Sequence, residues 1–234
     1  MNKIFFAVSC ILSATLFSCS KNDGPAPVET YKYLTLTSGS SWMYEITNNN
    51  APGGTSTNTM VSTNRDSVIY NRSYHVFTNS LDNSSEYYAI EGKEYYNFIL
   101  LPIGANQTRR INLYFAADQP VNTSWTQNYP ISLYPSGPSV PTITLVVVST
   151  IKEKGLTKTV NSKPYNNVVY VETVFTSPDI VSGGLVTLSG NIKSYYAPNY
   201  GLIEESRVIN VTLPPPAVGT SINTTKILKT ATLL

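Results

Sequence analysis

The chain is poor in the residues that most protein chemistry needs: it has two cysteines and one histidine, and charged residues fill only 13% of its 234 positions. Cys10 lies inside the apolar N-terminal stretch and Cys19 just beyond it, so the rest of the chain holds no cysteine pair for a disulfide. A zinc site of the usual kind needs several histidines or thiolates, and none can be assembled. There is no Asp-x-Asp calcium loop either, so no metal is expected. Imidazole catalysis would have to run through His75, which sits between Tyr74 and Val76 in an alternating segment and reads as a strand histidine on a half-exposed face. Gly53-Gly54 and Gly183-Gly184 lack the strand-then-helix context and the lysine of a phosphate cradle, so they read as turns and no cofactor is expected. The charged share is about half the usual ~25%. With a formal charge of +2 and no basic run longer than Arg109-Arg110, nucleic acid is not an expected partner.

What the chain does have begins at its N-terminus. Met1-Asn2-Lys3 is followed by a 14-residue, mostly apolar, uncharged stretch from Ile4 to Phe17. A membrane-spanning helix needs about 20 apolar residues, so this stretch reads as the core of a signal peptide rather than a permanent anchor. It ends in Leu16-Phe17-Ser18-Cys19, which resembles the lipobox of bacterial lipoproteins. That resemblance implies cleavage after Ser18 and acylation of Cys19, palmitate included, with the lipid bilayer as a partner through that residue. Residues 20–30 are polar with Gly and Pro, the composition of a solvated tether. Lys21 and Asp23 resemble part of the signal that sends Bacteroidota lipoproteins to the cell surface. The expected organisation is a signal peptide at 1–18, a lipidated cysteine and tether at 19–30, and one domain at 31–234.

That domain reads as all-β. Apolar, β-branched and aromatic residues alternate with polar ones, turn residues separate the runs, and helical spacing is absent. Strands are expected at Trp42–Thr47, around a turn at Asn71-Arg72, and on both sides of Glu91-Gly92-Lys93, the clearest hairpin. Pro130 to Pro141 reads as an edge or a loop. A β-branched run from Thr142 is expected to turn at Glu153-Lys154-Gly155, and Tyr165–Thr176 to bury Val168, Tyr170 and Val174 on one face. Connections this short suit a single antiparallel, strongly curved sheet or open barrel, with a β-sandwich as the alternative. Ser41-Trp42, Tyr74 and Tyr87-Tyr88-Ala89 are echoed in order by Ser124-Trp125, Tyr165 and Tyr195-Tyr196-Ala197, which raises a weak two-fold repeat of 31–115 and 116–234.

For ligand chemistry the informative excess is tyrosine, 17 in all. Rings can stack on sugars, but neighbours in a strand face opposite ways, so Tyr87-Tyr88 and Tyr95-Tyr96 should each place one ring inside and one outside. Tyr87, Tyr95 and Glu172 are the candidate ligand-facing residues, Glu172 because it stands alone in an apolar strand. The other carboxylates considered for glycoside hydrolysis, Glu91, Glu94, Glu204 and Glu205, read as solvated turn or strand charges. No catalytic residue is assigned. Asp66-Ser67-Val68 resembles a short O-glycosylation motif of Bacteroidota, with Ser67 as acceptor.

Tyr31-Lys32-Tyr33-Leu34, Ser38-Gly39-Ser40-Ser41-Trp42-Met43-Tyr44 and Tyr195-Tyr196-Ala197-Pro198-Asn199-Tyr200-Gly201-Leu202-Ile203-Glu204 together resemble a group of uncharacterised Bacteroidota lipoproteins. The resemblance implies an all-β lipoprotein with turns at Gly39 and Gly201 and a core anchored by Trp42. The expected function is a non-catalytic binding or structural lipoprotein of the outer membrane or cell surface, with a glycan or another surface protein as ligand. A lipocalin-like carrier of lipid or another apolar ligand is the alternative, and a carboxylate-based glycoside hydrolase ranks third.

Overall fold

The computed structural model describes residues 31–51, 53–100, 109–132, 142–177, 187–212 and 219–234. Cys10, Cys19 and the tether lie outside these residues. No helix among the described residues is long and apolar enough to cross a membrane. Residues 31–234 form one compact unit.

Twelve strands follow one another: β1 (Ser41–Asn48), β2 (Gly54–Ile69), β3 (Arg72–Asn79), β4 (Ser85–Glu91), β5 (Glu94–Leu100), β6 (Arg109–Ala116), β7 (Ser124–Ser132), β8 (Thr142–Val160), β9 (Lys163–Ser177), β10 (Thr187–Ala197), β11 (Gly201–Thr212) and β12 (Thr220–Thr232). They make one sheet in the order β6-β5-β4-β3-β2-β1-β12-β11-β10-β9-β8-β7, antiparallel at every pairing among the described residues. Every strand therefore pairs with its neighbours in sequence except at the β6–β7 break, and β1 pairs with β12. The sheet is nearly closed into a barrel, which decides against the sandwich.

The remaining gap, between β6 and β7, is bridged by side chains rather than a ladder. Trp125, Gln127 and Tyr129 share one face of β7. Trp125 Nε1 donates to the Leu113 carbonyl (2.7 Å) and Tyr129 Oη to that of Ile111 (2.9 Å). Gln127, with its amide turned as its neighbours require, accepts from Leu113 N and donates to Asn112 Oδ1, both at 3.0 Å. β7 thus offers its inner face, not its edge, to β6. These bonds occupy β6 backbone groups that would otherwise be an open template for another strand. Pro130 has no N–H to give, and its place in an edge strand fits that restriction.

Local sequence explains the turns. Tyr70 and Asn71 (φ 48° and 63°), and Asn161 and Ser162 (φ 49° and 65°), form two-residue links between long strands, the positive-φ pair that matches strand twist. The first link therefore falls one residue earlier than the sequence suggested. Glu153-Lys154-Gly155 is not a turn: β8 continues through it as a bulged stretch, with Gly155 at φ 74°, and turns only at Asn161. β2 is likewise longer than its apolar pattern indicated, because Thr55 to Asp66 is extended yet mostly polar.

The core is in two parts. The larger gathers Tyr33, Leu34, Trp42, Phe77, Tyr95, Phe115, Val169, Val171 and Tyr196. The smaller joins Tyr129, Ile131, Leu145, Val147, Phe175, Leu188 and Ile209. Trp42 is fully buried, as its anchoring role required. The segment before β1 is tied into the larger part: Tyr33 N donates to Tyr95 Oη (2.9 Å), Tyr33 Oη to the Asn167 carbonyl (3.0 Å), and Leu34 bridges Tyr200. Inward residues of β9 are Val169, Val171 and Phe175, whereas Val174 is 40% exposed. Val168 is fully buried as expected, whereas Tyr170 and Val174 are not, so the expected face is corrected for those two; β-branched residues occupy both parities of this strand, so alternation could not choose between them.

The residues of the sequence echo fall on matching strands of the two six-strand halves. Ser41-Trp42 opens β1 and Ser124-Trp125 opens β7; Tyr74 and Tyr165 lie on β3 and β9; the Tyr-Tyr-Ala triplets lie on β4 and β10.

Candidate functional site

Between the two cores the barrel keeps a cavity of about 440 Å³. It is lined on one side by Tyr44, Met60 and Tyr196 of the larger core and on the other by Tyr129, Val147, Phe175 and Ile209 of the smaller one. A polar belt lies between them. Alternation along each strand carries it: Tyr44 on β1, Glu86 and Tyr88 on β4, Asn97 on β5, Asn112 on β6, Ser149 on β8, Thr173 on β9, Ser194 on β10, Glu205 and Arg207 on β11, and Lys226 on β12.

Polar groups taken into a barrel must find partners, and most do. Glu86 accepts from Asn79 Nδ2 (2.6 Å) and Tyr88 Oη (2.8 Å). Glu205 accepts from Arg207 Nη2 (2.8 Å). Asn112 donates to Asn97, Ser149 and Thr173 share a hydrogen bond, and Tyr44 Oη donates to the Leu202 carbonyl. Burial, with Glu86 and other neighbours adding to it, holds the hydroxyls of Tyr44 and Tyr88 well above the usual tyrosine range. Tyr114 and Tyr196 are shifted the same way, again chiefly by burial. All four phenols therefore stay protonated at neutral pH.

The sequence candidates are dispersed. Tyr88 and Tyr95 face the interior and Tyr87 and Tyr96 the opposite side, as alternation required. Tyr95 is 2% exposed and packs on Tyr33, Tyr114 and Phe115, so its ring offers no open face. Tyr87 lies edge-on to Phe98 at 6.2 Å and reaches the cavity rim. Glu172 is on the outer face of β9, 3.7 Å from Lys152 Nζ and 3.4 Å from Asn191 Nδ2. Glu91 is held bidentately by Arg72 (2.7 and 3.0 Å), and Glu94 accepts from Tyr96. Glu204 pairs with Lys158 (3.0 Å) on one face of β11 while Glu205 enters the cavity from the other. Glu86 was not singled out in the sequence, because nothing local distinguishes an inward carboxylate from a solvated one. Ser67 is half-buried within β2.

Among the described residues, His75 holds an arrangement that looks catalytic. Its Nε2 is 2.8 Å from Ser62 Oγ and its Nδ1 is 2.8 Å from Asp66 Oδ1. A register shift in β2 between Ser62 and Asp66 places both beside the same histidine. The hydrogens run the wrong way for a nucleophile, however. Ser62 Oγ donates its only hydrogen to the Leu36 carbonyl (3.0 Å), so it can only accept from the imidazole. Ser62 is also 1% exposed, with no room for an acyl group. This trio ties the entering segment to β2 and β3. The expected result is no covalent labelling of the protein by a fluorophosphonate probe, read by intact mass; a stoichiometric adduct on Ser62 would make the trio catalytic.

Among the described residues there is no group of three or more His, Cys, Asp or Glu placed to hold a metal ion. No protein-family model matches the chain. No curated protein matches it in sequence. Two solved structures are similar. A candidate lipoprotein from Parabacteroides distasonis aligns with TM-score 0.50 and 12% identity, covering 87% of this chain and 100% of its own. A candidate exported protein with a YmcC-like fold from Bacteroides fragilis aligns with TM-score 0.44 and 9% identity, over 87% and 100%. At such identities the first of these shares the fold with this chain.

Proposed function

We propose that the chain is a lipid-anchored, non-catalytic binding protein of the outer membrane, displayed at the cell surface, whose barrel interior takes a small ligand. The observation that carries the binding half is the cavity: about 440 Å³, within the usual range of roughly 300 to 1,000 Å³ for small-molecule sites, and walled by aromatic rings with convergent polar groups. A barrel built only for stability would fill this space with apolar side chains. The belt also argues against a dry lipid pocket, because an acyl chain would leave the Lys226 ammonium and the Arg207 Nε desolvated with no acceptor.

The lipobox-like Leu16-Phe17-Ser18-Cys19 supports the anchoring half. Two or three acyl chains hold a protein stably, at about 0.8 kcal/mol per buried CH₂. The matched strands of the two halves support a duplication of 31–115 and 116–234 as part of the same proposal. In a Bacteroidota host, the chain is expected to take up labelled palmitate and Cys19→Ser to abolish uptake. Protease added to intact cells should degrade the protein. Palmitate uptake by the Cys19→Ser variant would overturn the anchor, and resistance to protease in intact but not lysed cells would place the protein on the periplasmic face. Glu86 and Glu205 share the cavity, which is the observation favouring a carboxylate-based glycoside hydrolase. Release of reducing sugar from a polysaccharide, lost in Glu205→Gln, would establish that second reading instead.

A further inference from the structure

The cavity's hydrogen-bond balance is uneven. Its three carboxylates all have protein donors: Asn79 and Tyr88 for Glu86, Arg207 for Glu205, and the Ser84 amide for Asp82. Its cations are less fully matched by acceptors. Lys226 lines the cavity, half-buried, with its ammonium 4.3 Å above the Tyr44 ring, and no carboxylate among the described residues forms an ion pair with it. Its cross-strand neighbour Glu205 is engaged by Arg207 instead. Arg207 keeps a second unspent donor, since its Nε is buried and has no partner among the described residues. The Tyr114 hydroxyl also lines the cavity, and burial keeps it protonated.

A buried donor without an acceptor is costly, and a ligand that supplies the acceptor recovers that cost on binding. Charge-assisted bonds from ammonium and guanidinium are the strongest available here. The body of the ligand would meet Tyr44, Tyr196, Phe175 and Ile209, which offer rings and apolar surface rather than further donors. Resting on the reading of the barrel interior as a ligand site, we infer that the ligand is a small organic anion, with a carboxylate or phosphate head facing Lys226, Arg207 and Tyr114 and an aromatic or apolar body.

The test is calorimetric titration of the mature lipidated chain in nanodiscs with four probes on one ring system: 1-naphthoate, 1-naphthyl phosphate, 1-naphthalenemethanol and 1-naphthylmethylamine. At low salt one or both anions should bind about tenfold or more tightly than the alcohol, the amine should bind weakest, and the preference should shrink with added salt. The two anions distinguish a carboxylate site from a phosphate site. Lys226→Gln should remove most of the anion preference while leaving the alcohol's affinity within about twofold. Lys226 is chosen because its loss strands no carboxylate, and retained alcohol binding reports that the cavity is still folded. Equal binding of anion and alcohol, or an anion preference untouched by Lys226→Gln, would overturn the inference while leaving the ligand site standing. No binding of any probe by the wild-type chain would overturn both.

Discussion

Phe115→Ala is expected to lower unfolding free energy by about 3 to 5 kcal/mol, a fifth or more of the ~5 to 15 kcal/mol that holds a domain together. Phe115 is fully buried and its ring joins parts of the barrel that the backbone does not. It stacks on Tyr196 of β10 at 5.0 Å and 14°, meets Tyr33 of the entering segment edge-on at 4.9 Å, and lies 5.2 Å from Tyr95 of β5. Truncation leaves a void among three tyrosines whose own hydrogen bonds fix them in place, so little collapse can offset it. Phe115→Leu, which keeps most of the volume, should cost under about 2 kcal/mol. Equilibrium urea unfolding measures both; equal losses for the two substitutions would show that shape and ring contacts at this site contribute nothing beyond hydrophobicity.

Gly190→Ala should be nearly as damaging, by about 3 kcal/mol, although it adds a single methyl group. Gly190 lies in β10 opposite Ile209 of β11. A Cβ built there would fall 2.2 Å from the Val208 carbonyl oxygen and 2.8 Å from the Ile209 Cα. Those are backbone atoms of a laddered strand, so relief requires β10 and β11 to separate. Gly92→Ala is the contrast: it meets nothing within 4 Å but sits at φ 62°, and should cost only about 1 kcal/mol through backbone strain. Thermal unfolding of the two variants side by side checks the ordering, and a Gly190→Ala variant as stable as Gly92→Ala would mean that the two strands are not packed as closely as described.

Some of the site was visible in advance and some was not. Alternation correctly separated Tyr88 from Tyr87 and Tyr95 from Tyr96, and put Glu204 and Glu205 on opposite faces. It could not say that the inward face of β4 and the inward face of β11 look onto the same cavity. Those strands are more than 100 residues apart in sequence, and nothing in either one refers to the other. The Ser62–His75–Asp66 trio depends on a register shift in a polar strand, a feature with no compositional mark. Glu172, singled out for standing alone among apolar neighbours, stands there because its strand carries β-branched residues on both faces, and its own face is the outer one.

The sequence by itself determined the all-β class, most hairpins and the division of side chains between two faces. Each of those follows from a two-residue period and from turn residues acting over a few positions. Tertiary structure decided that the first and last strands pair, that the break falls between β6 and β7, and that side chains of Trp125, Gln127 and Tyr129 bridge it. It also decided that two apolar clusters leave a polar cavity between them. These depend on contacts between distant residues, such as Tyr33 with Tyr95 and the Leu234 amide with Ser40 Oγ (3.1 Å), which no local period encodes.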